Sequence, residues 1–404
     1  MAKTYPLLGW YEREAQDKYG ICFTGHPEPY TLLNPSPASR RQPLSQDADI
    51  QRFPFGPVRA DVVESAEFIF YYAGEAILHY HPYLFFKHRG MEQRFEGLLP
   101  RQAVIFAERV SGIGSFAHAL AFSQACESAS NCEVPLRARQ LRVLLAELER
   151  IYNHLYYLGH LADTTTLKVA QAEGKLLSEQ AKQINGRLTG SRFLRGMVMP
   201  GGLRRDVELK DWFELALNKL RAQTEWYVNY LLATNSFRDR LLTTGLLDQV
   251  TAYDQGATGP VARASGIDRD LRRDHPYAGY DMVTVPIPVR ARGDADGRFR
   301  VRVEELFASM DIVTSLFRVI EPGPVAVPCI PGGLQEGLGW VESPRGALFY
   351  AVHFAADGRL ERVKIKSPSF SNWRVFPFTV QDTNMMDYAI NEASFGLSIA
   401  GCDR

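Results

Sequence analysis

Residues 136–164 read LRARQLRVLLAELERIYNHLYYLGHLADT, and this stretch decides the fold. Leu141, Leu144, Leu145, Leu148, Ile151, Leu155 and Leu158 recur at three- and four-residue spacing, which places them on one stripe of a long helix. Pro135 stands just before it, where a helix can start. A helix of this length must bury its stripe against others. Residues 171–190 and 209–247 supply further long helical patterns. Towards the N-terminus, Val62 to Tyr72 is rich in Val, Phe, Ile and Tyr and predicts a strand, with a second strand after a turn in the AGEAILHYHP run of residues 73–82. Towards the C-terminus, Thr251 to Gly279 reads as a structured loop, and Met282–Val289 and Gly346–Ile365 read as β, the latter turning at Asp357-Gly358. Residues 34–52 (NPSPASRRQPLSQDADIQR) have little apolar periodicity and read as a linker. The aromatic block before them, within residues 1–33, is too short to bury a core alone. The expected class is mainly α with small β elements, an α+β arrangement.

The chain has 404 residues, with 46 Lys and Arg against 46 Asp and Glu. Zero net charge argues against nucleic-acid binding through a basic field. No apolar run reaches the roughly 18 to 20 residues that span a bilayer. The opening MAKTYPLLGWYERE meets charge too soon for a secretory signal. A soluble, cytoplasmic chain is expected. Its five cysteines (Cys22, Cys126, Cys132, Cys329, Cys402) show no CxxC spacing, so free thiols are expected rather than a disulfide framework or a metal cluster.

Motifs taken singly say little. His79 and His81 share a strand face, while His154 and His160 are six apart and do not share a helix face. Neither pair has zinc-helix geometry, and structural roles are expected. Ser111-Gly112-Ile113-Gly114 lacks the third glycine and the leading strand of a nucleotide loop, and there is no Walker lysine or GxSxG elbow. The string Ala146-Glu147-Leu148-Glu149-Arg150 reads as a solvated helix face.

The order of the longer strings is more informative. Phe55-Gly56-Pro57 is followed by the FKHRGME run 86–92, the ERVSGIGSFAH run 108–118, the AELERIYNH run 146–154, the LTGSRF run 188–193, and Met199-Pro200-Gly201-Gly202. Arg273-Asp274-His275-Pro276-Tyr277, Glu342-Ser343-Pro344-Arg345-Gly346 and the SPSFSNW run 367–373 complete the series. Over about residues 53–404 this collinear set resembles the large subunit of group 4 nickel–iron hydrogenases, formate hydrogenlyase-like complexes included, and its relative, the quinone-facing large subunit of respiratory complex I. Trp10-Tyr11-Glu12-Arg13-Glu14, Tyr19-Gly20-Ile21 and Gly25-His26-Pro27 resemble the tail of the small α/β subunit that docks beside it, so residues 1–33 read as a remnant of that tail.

The resemblance implies a hydrogenase-large-subunit fold and an oxidoreductase complex with electron transport of the NADH-dehydrogenase or quinone type. NAD binding and quinone binding are expected of that complex. Expected partners are an iron–sulfur small subunit holding the cluster, a complex I-type α/β subunit and membrane-arm subunits. The expected location is peripheral, on the cytoplasmic side of the inner membrane. The alternative is a non-catalytic coupling subunit of an ion-translocating complex. Hydrogenases hold nickel with two pairs of cysteine thiolates, soft ligands suited to that metal. Those positions fall on Ser111, Gly114, Ser398 and Gly401, with Cys402 one place off, so no nickel–iron centre and no cofactor held by this chain are expected. The head-group tyrosine and loop histidine of complex I fall on Gly112 and Arg59, which leaves quinone binding by that pair in doubt. Arg345 matches the arginine over the hydrogenase metal site, Glu92 a proton-relay carboxylate, and His118 the histidine after the first ligand pair. A guanidinium there can hold an anion or polar head-group, and a buried carboxylate can have its pKa raised and pass protons.

Overall fold

The computed structural model describes residues 1–33, 49–59, 64–332, 335–381 and 383–404. The expected linker lies mostly outside the described residues. Its last four positions, 49–52, do not: of these Gln51 and Arg52 belong to strand β1 (Gln51–Phe55). This strand pairs antiparallel with β2 (Glu67–Ala73), which pairs with β3 (Ala76–Tyr83). Because β1 is an edge strand, Pro54 removes no needed ladder donor.

Ahead of the sheet lies α1 (Gly9–Tyr19). After it, α2 (Pro100–Val110), α3 (Ser115–Ala129), α4 (Leu136–Thr164) and α5 (Lys168–Thr189) form the start of a helical core. A two-residue ribbon, β4 (Val198–Met199) with β5 (Gly202–Leu203), precedes α6 (Asp211–Ala233) and α7 (Asn235–Leu241). Thr234 leaves helical geometry and splits the expected 209–247 helix. The expected loop 251–279 contains three short helices, α8 (Gln249–Asp254), α9 (Pro260–Ala264) and α10 (Leu271–Asp274). Residues 282–289 are not a strand: Pro286 and Pro288 remove alternate amide donors from any ladder.

The long helix α11 (Ala295–Val319) escapes apolar periodicity because its buried face carries Arg298, Arg302, Glu305 and Ser309. The second sheet is β6 (Glu336–Ser343), β7 (Gly346–Phe354) and β8 (Leu360–Lys366), with the expected turn at Asp357-Gly358 between the last two. The chain ends in α12 (Pro368–Val375), α13 (Tyr388–Phe395) and α14 (Ile399–Asp403).

Two apolar clusters hold this together. The larger joins α2–α6 and α11 to the second sheet, and the smaller joins α1, the first sheet and α12–α14. The second sheet lies very close on α3: a Cβ on Gly339 of β6 would stand 2.1 Å from the carbonyl oxygen of Ala121. That contact fixes where the β6–β7 turn, with Arg345, projects over the start of α3.

Candidate active site

Two turns meet in the interior. One, Ser111–Gly114, joins α2 to α3; the other, Ser398–Gly401, opens α14, with the Ser398 hydroxyl accepting a 3.0 Å hydrogen bond from the Gly401 amide. A Cβ on Gly401 would lie 3.6 Å from the Ser111 Cβ, and one on Gly114 would lie 3.9 Å from the Ser111 Oγ and 3.8 Å from His118 Cδ2. The positions expected from the resemblance therefore face one another, although they lie far apart in sequence.

Arg89, on the loop after β3, ties the turns together. It donates to the carbonyl of Arg109 at 2.9 Å, that of Val110 at 2.7 Å and that of Ala400 at 3.0 Å. Residues 110 and 400 directly precede Ser111 and Gly401, so one planar guanidinium sets the spacing of both turns.

Arg345 comes from the β6–β7 turn. Its Nε donates to Gly396 O at 2.8 Å and its Nη1 to Asn153 Oδ1 at 2.9 Å. The side chain is deeply placed yet keeps some accessible surface. Burial, then Arg302, pushes its pKa down. The turn is possible because Gly346, at φ +128°, presses on Gly259, at φ +67°; a Cβ on Gly259 would stand 2.4 Å from the Gly346 Cα.

His118, on the first turn of α3, shares a 2.8 Å hydrogen bond with the Tyr350 hydroxyl. Burial, then Arg345 and Arg89, pushes its pKa down to about 3, so the imidazole is neutral. Glu92 sits differently. It pairs with Lys18 at 2.6 Å, Arg404 at 3.2 Å and Lys364 at 3.3 Å, and accepts the Ile365 amide at 2.9 Å. Burial would raise its pKa, but Arg404 and Lys364 hold it below the ordinary carboxylate range. That direction is the reverse of the one expected for a buried proton carrier.

Gly112 is exposed, and its carbonyl accepts from Ser115 Oγ at 2.8 Å and Arg195 Nη2 at 3.1 Å. Arg59 makes a two-pronged pair with Glu392, at 3.3 and 3.1 Å, and stacks over Phe55. Neither residue replaces the hydroxyl or imidazole expected there in a quinone site.

The four turn positions do not fit a nickel–iron centre. Glycine offers no ligand, serine is a hard and weakly acidic donor, and Cys402 is fully buried with its thiol pKa pushed up by burial. Among the described residues no group of three or more His, Cys, Asp or Glu is placed to hold a metal ion.

The charged string in α4 is not a solvated face. Glu147, Glu149 and Arg150 are each no more than 1% exposed. Glu149 and Asn153, four apart, turn towards the start of α3 and the Ser111–Gly114 turn. The Glu149 carboxylate accepts the amides of Phe116 at 2.8 Å and Ala117 at 3.0 Å, and Asn153 Nδ2 donates to Ile113 O at 3.0 Å.

Glu147, Arg150 and His154 turn instead into a buried ion cluster. There Arg263 reaches Glu305 at 2.5 Å, Glu342 at 3.0 Å and Asp270 at 3.1 Å, and Arg272 reaches Asp270 at 2.8 Å and Glu147 at 3.2 Å. Arg150 Nη2 donates to Glu342 O at 2.5 Å, anchoring the end of β6 just before Arg345. Arg89, Glu149 and Asn153 do not stand out in the sequence as site residues. The i, i+4 spacing of Glu149 and Asn153 is the available signal, hidden by the rule that charged helix strings face water.

A cavity of about 380 Å³ lies away from the two turns, between the N-terminal block and β3, bordered by Trp10, His26, Tyr30, His79, His81 and Arg374. His79 and His81 lie side by side with their rings tilted, centroids 5.4 Å apart. His154 instead bonds Glu305 at 2.9 Å, and His160 stacks on Tyr156.

Comparison with known proteins matches this geometry. The family described as the respiratory-chain NADH dehydrogenase 49 kDa subunit matches residues 177–332 and 330–404, nickel-dependent hydrogenase matches 89–191, and the respiratory-chain NADH dehydrogenase 30 kDa subunit matches 1–54. Formate hydrogenlyase subunit 5 of Escherichia coli (strain K12) is 29% identical over 95% of this chain and 72% of its own length. An NADH-quinone oxidoreductase subunit of Salinispora tropica is 32% identical over 74% of this chain and 79% of its own. A chain in the structure of the membrane-bound sulfane sulfur reductase, an archaeal respiratory membrane complex, superimposes with a TM-score of 0.84 at 25% identity, covering 89% of this chain and 100% of that one. The chain belongs to the family of the respiratory-chain NADH dehydrogenase 49 kDa subunit, and residues 89–191 of its helical core are similar to the nickel-dependent hydrogenases.

Proposed function

We propose that this chain is the large subunit of a membrane-associated oxidoreductase complex related to complex I and the hydrogenases. Its cavity, placed beside an iron–sulfur cluster held by a partner subunit, accepts electrons onto a polar or anionic redox substrate without a nickel–iron centre. The observation that carries this reading is the pairing of the Ser111–Gly114 and Ser398–Gly401 turns under Arg89 and Arg345. In this reading the metal-site scaffold is kept and its thiolates are gone. Arg345, deeply placed but with some accessible surface, and a neutral His118 suit a carbonyl or anionic head-group. A quinone-like substrate fits that chemistry, although Arg59 and Gly112 do not supply the expected contacts.

The names of the relatives support an NADH-linked or formate-linked electron supply to the complex, with an α/β subunit and membrane-arm subunits as partners. Among the described residues no helix is long and apolar enough to cross a membrane, so attachment is through those partners, at the cytoplasmic face in this reading. The competing reading, a coupling subunit with no chemistry of its own, draws on the lost thiolates alone.

The test is to purify the assembled complex, measure its metals and its reduction of candidate acceptors, and repeat this with Arg345→Met. The expected result is no stoichiometric nickel and an assembled but inactive Arg345→Met complex. About one nickel per chain, or full activity in the variant, would sink the proposal.

A further inference from the structure

The cavity between the N-terminal block and β3 is independent of the two turns and of the redox reading. Its lining is mainly apolar: Trp10 of α1, Tyr80 of β3, and Leu84 and Phe85 are all buried. A dry cavity of about 150 Å³ holds one benzene ring, so about 380 Å³ has room for a two-ring body with a small polar group. Three lining side chains other than histidine can carry charge: Arg13, Glu28 and Arg374. Arg13 pairs with Glu28 at 3.2 Å, which leaves the charge of Arg374 in excess. His26 is no rival for an anion, because its ring nitrogens engage Gly9 O at 3.0 Å and the Glu28 amide at 2.9 Å.

Arg374, on α12, is half-buried, and no ion pair to it occurs among the described residues. Its Nη1 donates to Pro6 O and, at 2.7 Å, to Gln255 Oε1, both uncharged acceptors. The edge formed by Nε and Nη2 has no acceptor among the described residues. That edge is a planar fork, which a carboxylate fills with two parallel hydrogen bonds. Burial pushes the Arg374 pKa down to about 10, opposed by Tyr11 and Glu28, so the group stays charged at neutral pH. A charge withdrawn from water without a counter-charge is costly.

We propose that this cavity binds a small amphipathic carboxylate, an aromatic or other apolar body bearing one carboxyl group. Arg374 holds the carboxylate, and Trp10, Tyr80 and Phe85 pack on the body. One negative charge matches the single excess positive charge, whereas a polyanion would meet Glu28 with charge left over. The walls come from α1, β3 and α12, so occupancy ties the N-terminal block to the first sheet and the C-terminal helices.

The test titrates 2-naphthoate into the full-length chain by calorimetry, against 2-naphthalenemethanol, which keeps the ring body and loses the charge. Saturable binding is expected, with the carboxylate at least roughly tenfold tighter than the alcohol, since a hydrogen bond to a charged group outweighs a neutral one. Arg374→Gln is expected to bring the two affinities together by weakening the carboxylate alone. Hydrogen exchange in the presence of naphthoate should slow at residues 6–10, 26–32 and 79–85 and stay unchanged at the Ser111–Gly114 turn. The comparison of the two probes in wild type decides the matter even if Arg374→Gln does not fold. No saturable binding of naphthoate, equal affinities for the two probes in wild type, an Arg374→Gln variant that keeps the preference, or protection confined to other segments overturns the proposal.

Discussion

Arg404 donates a 3.0 Å hydrogen bond to Glu14, 390 positions earlier in the chain, and both side chains are only 2% exposed. The contact joins α1 to the segment that carries the Ser398–Gly401 turn. Around it, Lys18 and Lys364 share Glu14 and Glu92 with Arg404, and Arg404 stacks over Phe370. Trp10 packs edge-on against Phe85 and Phe370. The N-terminal block is thus built into the smaller apolar cluster, against the segment that carries the Ser398–Gly401 turn.

Removing one partner from this buried network leaves uncompensated charge. Glu14→Ala is therefore expected to cost roughly 3–5 kcal/mol, read as a lower midpoint in denaturant unfolding. Limited proteolysis should cut within residues 1–33 sooner in the variant than in wild type. A variant with unchanged midpoint and cleavage rate would show that α1 is held by its aromatic contacts alone.

The same network sets an acid limit. Arg404 and the two lysines hold Glu14 and Glu92 below their ordinary value of 4.5, against the effect of burial. A carboxylate depressed in the fold contributes stability that is complete above its unfolded pKa and is lost as pH falls towards its folded value. Release of α1 is expected as pH drops below about 4.5, ahead of helical melting. Trp10 fluorescence against far-ultraviolet dichroism checks the order, and coincident transitions would contradict it.

How much of this is legible in the sequence follows from physical reasons at particular residues. The α4 stripe from Leu141 to Leu158 is visible because its partners are apolar. The helix α11 is hidden because Arg298, Arg302 and Glu305 line its buried face, so charge stands where a core pattern would be sought. Of the site, Ser111, Gly114, Ser398 and Gly401 can be placed through the order of motifs, and the structure brings the Ser111–Gly114 and Ser398–Gly401 turns face to face. Arg89, Glu149 and Asn153 cannot: their roles depend on backbone carbonyls and amides contributed by segments far away in sequence.

Arg89 makes a sharp test of the two-turn site. Its three carbonyl contacts need a planar fork, which lysine lacks. Arg89→Lys is expected to leave the helical core intact but loosen the spacing of Ser111 and Gly401. Hydrogen exchange at residues 110–114 and 398–402 should rise at least several-fold, with little change at α4. Unchanged exchange would mean that packing alone sets the distance between the turns.

The ion cluster gives the last prediction. Four carboxylates (Glu147, Asp270, Glu305, Glu342) meet three guanidinium groups (Arg150, Arg263, Arg272), an excess of one negative charge. His154 does not offset it, since burial pushes its pKa down to about 4. The excess falls on Glu342, whose pKa burial and Asp270 push up to about 7, while Arg263 and Arg150 hold Glu305 well below the ordinary range against its burial. An acid raised in the fold contributes stability that is complete below its unfolded pKa, 4.5, and is lost as pH rises through about 7. Wild type should therefore lose stability between pH 4.5 and 7 that Glu342→Gln keeps. The variant's advantage should grow across that window and level off above it. Arg263→Met should do the opposite, costing roughly 3–5 kcal/mol at neutral pH by leaving Glu305 and Asp270 underpaired. Unfolding midpoints of the three proteins across that pH range check both directions, and a Glu342→Gln curve parallel to wild type would place the excess charge on another residue.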